Sequence, residues 1–164
     1  TNSRIAQEER RLTKALPNGK LEDLLHLSLM EDKVAVCISA FLGKLANFCA
    51  LAQRPELGKL AALKAFQLAC TYGVNTHMVL AMTQYAYSFR LTGEHDKCFS
   101  LADLAGDLLR NLSPRPGANY AKILVIIHSS MISLKKPLQD SLEPFMEAYE
   151  VGIQTGDVEY ALIG

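Results

Sequence analysis

The chain has 164 residues, 49% of them hydrophobic and 21% charged, which is enough apolar material for a core and excludes general disorder. Its 17 Lys and Arg are balanced by 17 Asp and Glu, so no net charge argues for nucleic acid or an anionic membrane as partner. It starts at Thr1 and stops at Gly164 inside an apolar pattern, and both ends read as cuts within a longer polypeptide.

Residues 4–16 have helical composition with a thin apolar stripe, Ile5, Leu12 and Leu16, and Pro17-Asn18-Gly19 breaks it. This stretch reads as the tail of a helix that begins earlier. Arg10, Arg11 and Lys14 interleave with Glu8 and Glu9, the pattern of a solvated face. Leu21 to Met30 is short and apolar with two carboxylates, which predicts one or two helical turns and an extended exit. Residues 1–31 are therefore an N-terminal helix with a connecting segment, and 32–164 a set of helical repeats truncated at the C-terminus.

Asp32 is placed to cap the next helix. Behind it Val34, Cys37, Ile38, Phe41, Leu45, Phe48 and Cys49 recur at three- and four-residue steps, a stripe wide enough to predict neighbours on both flanks. Arg54-Pro55 ends that helix and starts another, whose period runs through Leu57, Leu60, Ala61, Leu68 and Tyr72 to a C-terminal Gly73. Thr76 to Thr92 and Glu94 to Leu112 read as two helices folded back around Gly93. Small residues (Ala86, Cys98, Ala102, Ala105) fall where two helices must approach, and Tyr85 and Phe89 fall where a knob must fill a groove. That spacing resembles one tetratricopeptide unit.

Ser113-Pro114-Arg115-Pro116-Gly117 is a break. Tyr120 to Leu134 is apolar on almost every side and belongs between other helices. Lys135-Lys136-Pro137 turns the chain, Ser141 to Thr155 forms a helix with Pro144 in its first turn, and Gly156-Asp157 separates it from a last, unfinished helix. No bounded run alternates as a strand would. Ala65 precedes Gly73, and Ala148 precedes Gly156, by the same eight residues; Ala65, Ala105 and Ala148 are 40 and 43 residues apart. Two helices per such period predict an all-α, tetratricopeptide-like α-solenoid of antiparallel helix pairs. With that last helix unfinished and its pairing helix missing, Leu142, Phe145, Met146, Tyr149 and Ile153 should keep one flank uncovered.

Chemistry-bearing motifs are sparse. No glycine-rich phosphate loop occurs, and His26, His77, His95 and His128 have no H-E-x-x-H or i, i+4 partnership, so neither nucleotide nor metal binding is expected. His128, within the most apolar helix, reads as a satisfied core histidine, and His95 as part of a solvated turn. Cys37, Cys49, Cys70 and Cys98 sit in apolar helical slots without a C-x-x-C pair, as buried, reduced thiols do. Cys98, three residues from His95, is the nearest approach to a nucleophile, yet it occupies a small-residue packing slot. No catalytic, cofactor-binding or metal residue is assigned. No unbroken apolar run reaches membrane-spanning length, Ile123 to Ile127 being only a turn or two of helix, and no signal-type apolar stretch follows the early arginines.

Leu21-Glu-Asp-Leu-Leu-His-Leu-Ser-Leu-Met30, the Ala65…Leu68…Tyr72-Gly73 helix end, and Ala148-Tyr149…Gly152-Ile153-Gln154-Thr155-Gly156-Asp157-Val158-Glu159-Tyr160-Ala161 resemble segments of large signalling proteins. These are the hybrid sensor histidine kinases and related serine/threonine kinases, in which a kinase-like domain is followed by an AAA/STAND-type ATPase module, a long helical region, and GAF and histidine-kinase domains. The resemblance places this chain inside the helical region, outside every catalytic part. Where that family often has a tryptophan before the equivalent of Pro137-Leu138, this chain has Leu134-Lys135-Lys136. The resemblance implies a non-catalytic, cytoplasmic scaffold that contacts neighbouring domains or another protein. A free-standing peptide-binding adaptor and a ligand-sensing helical domain are the other readings.

Overall fold

Residues 2–112 and 117–163 are described by a computed structural model of the protein. The expected break at 113–116 lies outside the described residues. All regular structure among them is helical: α1 (Asn2–Ala15), α2 (Lys33–Leu51), α3 (Pro55–Tyr72), α4 (Thr76–Leu91), α5 (His95–Leu112), α6 (Tyr120–Ser130), α7 (Leu142–Thr155) and α8 (Val158–Ile163), with 3-10 turns at Leu21–His26, Ile132–Leu134 and Leu138–Ser141. The all-α expectation holds. The Tyr120–Leu134 helix is shorter than expected, because Met131 leaves the helical region (φ −128°, ψ −63°) and the chain continues as a 3-10 turn.

Successive helices pack as pairs: α2 on α3, α4 on α5, α6 on α7. The first helices of the pairs also meet, α2 against α4 and α4 against α6, with α8 next to α6. At the centre lies α4, buried at every residue from Met78 to Ala86, Thr83 and Gln84 included. Phe66, Tyr85 and Phe89 form a chain of edge-to-face rings with centroids 5.6 and 5.0 Å apart, so the expected aromatic knobs fill the space between α3 and α4.

One geometry recurs after 40 residues. Gln53 and Gly93 both adopt positive φ (54° and 80°) at the turn within their pairs. The Arg54 amide then donates to the Cys49 carbonyl (2.8 Å), and the Glu94 amide donates to the Phe89 carbonyl (2.9 Å). Behind each turn the buried positions match: Gly58 with Cys98, Ala62 with Ala102, Ala65 with Ala105. Ala148 on α7 is buried likewise, and Ser141 precedes it by the interval that separates Gly58 from Ala65.

The face of α3 that reaches the core is therefore a small-residue face. Leu57 and Tyr72, expected within its apolar period, are exposed, while Ala61, Ala62, Ala65, Phe66 and Ala69 are buried. The same reason overturns the expectation for α2. Its buried face is Ala35, Ser39, Gly43, Ala46 and Cys49, while Val34, Cys37, Ile38, Phe41 and Phe48 are exposed, so only one flank is covered. With a mean hydropathy of 1.9 over an 18-residue window, α2 is also long and apolar enough to cross a membrane by length and composition, which unbroken apolar runs do not reveal. In this structure it packs on α3 and α4 instead. The uncovered flank expected on α7 is present: Leu142, Met146, Tyr149 and Ile153 are exposed, and Phe145 is partly covered by His128.

Two polar ties hold the N-terminal segment to these pairs. Glu8, read from sequence as part of a solvated face, is buried between α1 and α3, where Lys64 Nζ (2.6 Å) and Gln67 Nε2 (2.9 Å) donate to its carboxylate. Arg11 reaches the other oxygen at 3.0 Å. Farther on, the extended exit after Leu27 pairs with the α3–α4 connection: Val74 donates to Ser28 (2.8 Å) and Met30 to Val74 (2.9 Å). Gly73 makes this possible. Its φ of 94° and ψ of −178° lie in a region only glycine occupies readily, and a Cβ there would stand 2.3 Å from the Ser28 carbonyl oxygen.

Gly93 also has positive φ, but a Cβ there meets nothing within 4 Å. Gly93→Ala should thus cost about 1 kcal/mol, the left-handed penalty alone. Gly73→Ala should cost ~3 kcal/mol or more, because strain and collision add. Urea unfolding midpoints of the two variants check the order. The hydrogen bonds from Lys64 and then Gln67 lower the Glu8 pKa from 4.5 to about 2. A carboxylate depressed in the folded state stabilises above its unfolded pKa and loses that contribution as pH falls through the folded one. The stability advantage of the parent chain over Glu8→Gln should be full at neutral pH and shrink between pH 4.5 and 2, measured by unfolding across that range.

Candidate functional site

The first helices of the pairs line a groove. Along it stand Lys44, Asn47 and Leu51 of α2, Leu80, Gln84 and Tyr87 of α4, Lys122, Ile126 and Ser130 of α6, and Glu159 and Tyr160 of α8. Two adjoining recesses of about 200 and 350 Å³ share Asn47, Leu51 and Tyr160. The groove exists because α2 and α4 meet through small residues: a Cβ on Gly43 would lie 2.5 Å from the His77 carbonyl oxygen. Larger side chains have room only toward the open side.

The polar groups of the groove are held in place. Gln84 Nε2 donates to Asn47 Oδ1 (3.0 Å), linking α4 to α2. Lys122 lies over the Tyr160 ring (4.5 Å to the centroid) and Arg90 over the Tyr87 ring (5.4 Å). Asn119 Nδ2 donates to His77 Nδ1 (2.9 Å), which needs an unprotonated nitrogen there; burial, and secondarily the charge of Lys44, lower the His77 pKa and favour that neutral ring. Behind the groove Asn75 caps α4 by accepting from the Met78 amide (2.9 Å) and also receives the Ser39 hydroxyl of α2 (2.9 Å). Fixed amides thus stand beside aromatic faces and lysines along the groove.

A separate recess of about 420 Å³ lies where α1 and the Leu21–His26 turn meet α4 and α5, walled by Leu21, Tyr85, Phe89 and Leu101. Tyr85 Oη donates to Glu9 Oε1 at its edge (3.0 Å). Burial, then the Glu9 carboxylate, push the Tyr85 phenol well above its usual pKa, so it stays a neutral donor. Lys59 and Lys97 stand over the Phe89 ring at 4.3 and 5.3 Å.

The residues weighed from sequence are scattered. His26 and His95 are exposed, and His95 stacks on Phe99 with centroids 6.3 Å apart. His128 is not the satisfied core histidine expected: its Nδ1 is buried and has no hydrogen-bond partner among the described residues, and the ring packs edge-on against Phe145. Cys49 and Cys98 are buried as expected, Cys70 is half-buried, but Cys37 is exposed because it lies on the uncovered flank of α2. Burial raises the thiol pKa of Cys49, Cys70 and Cys98 and makes each a poorer nucleophile. Among the described residues no three His, Cys, Asp or Glu side chains converge as metal ligands. Sequence reasoning passed over Asn47, Gln84, Tyr87 and Lys122. Their only signal was polar or amphipathic character on helices otherwise apolar.

No protein-family model matches the chain, and comparison with curated proteins and with solved structures gives no match.

The four thiols make a direct check on which faces are covered. Native Cys37 should react with a maleimide rapidly, Cys70 more slowly, and Cys49 and Cys98 only on unfolding. Site-resolved mass spectrometry of a labelling time course reads this order.

Proposed function

We propose that the chain is a tetratricopeptide-like solenoid segment that works as a non-catalytic scaffold, holding a peptide or neighbouring domain in the groove of its first helices. The observation that carries this reading is the recurrence after 40 residues of the same turn, the same five-residue amide closure and the same small buried positions in α2–α3 and α4–α5. Stacked helix pairs of this kind present one long face built from equivalent helices, and such a face suits an extended partner. The resemblance noted in the sequence places the segment in a cytoplasmic signal-transduction protein with kinase and ATPase modules elsewhere in its chain. In that setting it needs no cofactor of its own and contacts protein, not nucleic acid or membrane.

A second reading, a helical domain that senses a small molecule, has one observation in its favour: the recess between the Leu21–His26 turn and α5, where Tyr85, Phe89, Leu21 and Leu101 offer apolar walls. A ligand there would bear on how the N-terminal segment sits against the pairs.

Selection from a displayed library of extended peptides separates the two. Enriched peptides should lose about tenfold or more in affinity on Tyr87→Ala or Lys122→Ala, and nothing on Ser100→Ala in the opposite recess. Peptides that ignore both groove substitutions, or a library that yields no binder, would overturn the groove reading.

A further inference from the structure

Three leucines recur at one position of the helix pairs. Leu51 ends α2, Leu91 ends α4, and Leu134 closes the 3-10 turn that continues α6. They stand 40 and 43 residues apart, the intervals that separate Ala65, Ala105 and Ala148. Their surroundings repeat with them. Asn47, Tyr87 and Ser130, one turn earlier, are half-buried in all three, whereas Leu51, Leu91 and Leu134 are 73%, 54% and 52% exposed. Recesses bordered by Leu51 and by Leu91 share Ala50, Gln84 and Tyr87, so the row runs along a margin of the groove.

The exposure of this row does not come from the limits of the chain. Leu91 belongs to the middle pair, whose α4 packs against both α2 and α6. Because first helices meet first helices, another pair at either end would lengthen the row and leave it open.

Charge is divided between the two sets of helices. The first helices α2, α4 and α6 carry Lys33, Lys44, Arg90 and Lys122 and no Asp or Glu. The carboxylates of the pairs stand on the second helices α3, α5 and α7, in a chain whose net charge is zero. Arg54 and Lys135 add cations beside the row, while Glu94 at the middle turn is held by Lys97 at 2.5 Å. Glu159 of α8, at the far recess, is the carboxylate that borders the groove itself.

We propose that the groove's partner is an acidic segment in the polyproline II conformation, seating an apolar side chain on the leucine row at every third residue. This rests on the reading of the groove as a protein-binding face. Packed helices lie about 8–10 Å apart. A polyproline II chain turns once in three residues and rises about 9 Å, so every third side chain points the same way at that spacing. Its main-chain groups are unpaired, and Asn47, Tyr87 and Ser130 offer them partners beside the leucines. Its carboxylates face helices that carry cations alone.

The probe is a fluorescent peptide of four Leu-Glu-Pro triplets, read by anisotropy against the whole chain. Binding should weaken about tenfold or more on Leu91→Ser, confirmed as folded by circular dichroism. A peptide with lysine in place of glutamate, or with leucine at every fourth residue, should bind more weakly by a similar factor. Leu57→Ser, which removes an exposed leucine of α3, should change nothing. Absence of saturable binding, equal binding of the lysine peptide, or indifference to Leu91→Ser would overturn the proposal. So would self-association of the parent chain, or its binding to phosphatidylserine vesicles, if Leu91→Ser abolished it, since a second copy or a membrane would then own the row. Library peptides that need Tyr87 and Lys122, beside a triplet peptide that does not bind, would sink this inference and leave the groove reading standing.

Discussion

Backbone-to-backbone approach between helices is the constraint on which this structure rests. A Cβ on Gly43 would intrude on the His77 carbonyl, one on Gly58 would come 3.3 Å from the Cys49 Cβ, and one on Gly152 would come 2.7 Å from the Ala161 Cβ. These are the crossings of α2 with α4, α2 with α3, and α7 with α8. Together with Ala46, Ala62, Ala65, Ala86, Ala102 and Ala105, all buried, they let helices approach as closely as their backbones allow. Close approach fixes which face of each helix turns inward. The large apolar side chains of α2 and α7 are then left on the other side.

The N-terminal segment joins this framework through specific polar contacts. Glu8 would be costly to bury alone, but it receives Lys64, Gln67 and Arg11, so its charge is balanced where α1 crosses α3. Asn75 draws together the start of α4, Ser39 of α2 and the Met30 segment, whose sulfur accepts from Asn75 Nδ2 at 3.1 Å. The residues after Leu27 also bond backbone to backbone with the α3–α4 connection, and that is possible because Gly73 carries no side chain. Order in residues 17–31 thus follows from the pairs behind them, which present the matching donors and acceptors.

The same packing rule shapes the surfaces available for function. Small residues at the α2–α4 contact let the two helices sit side by side, which brings Asn47 to Gln84 and lines their open side with Tyr87, Lys122 and Tyr160. Among the described residues no helix covers the large side chains on the outer faces of α2 and α7. The groove and these two outer faces are thus consequences of one arrangement, in which helices meet through their smallest residues and display their largest.

The sequence by itself determined the helices, their order and most of their limits, because those depend on signals within a turn or two of each boundary. Asp32 caps α2 by accepting from the Ala35 amide at 2.7 Å, Pro55 opens α3, and Gly93 and Gly156 turn the chain with positive φ. The 40-residue spacing of Ala65 and Ala105 was legible for the same reason: both are small, and both sit at contacts that tolerate little else. Tertiary structure alone decided which face of an apolar helix is covered. Periodicity marks Val34, Cys37, Ile38, Phe41 and Phe48 as a stripe, but α2 also carries Ala35, Ser39, Gly43 and Ala46, and hydrophobicity ranks the wrong face first. Small residues win at these contacts because the closeness of two backbones, not the apolar area of one helix, sets the packing. The burial of Glu8 and the meeting of Asn47 with Gln84 were likewise decided there, since each needs partners from helices far away in the chain.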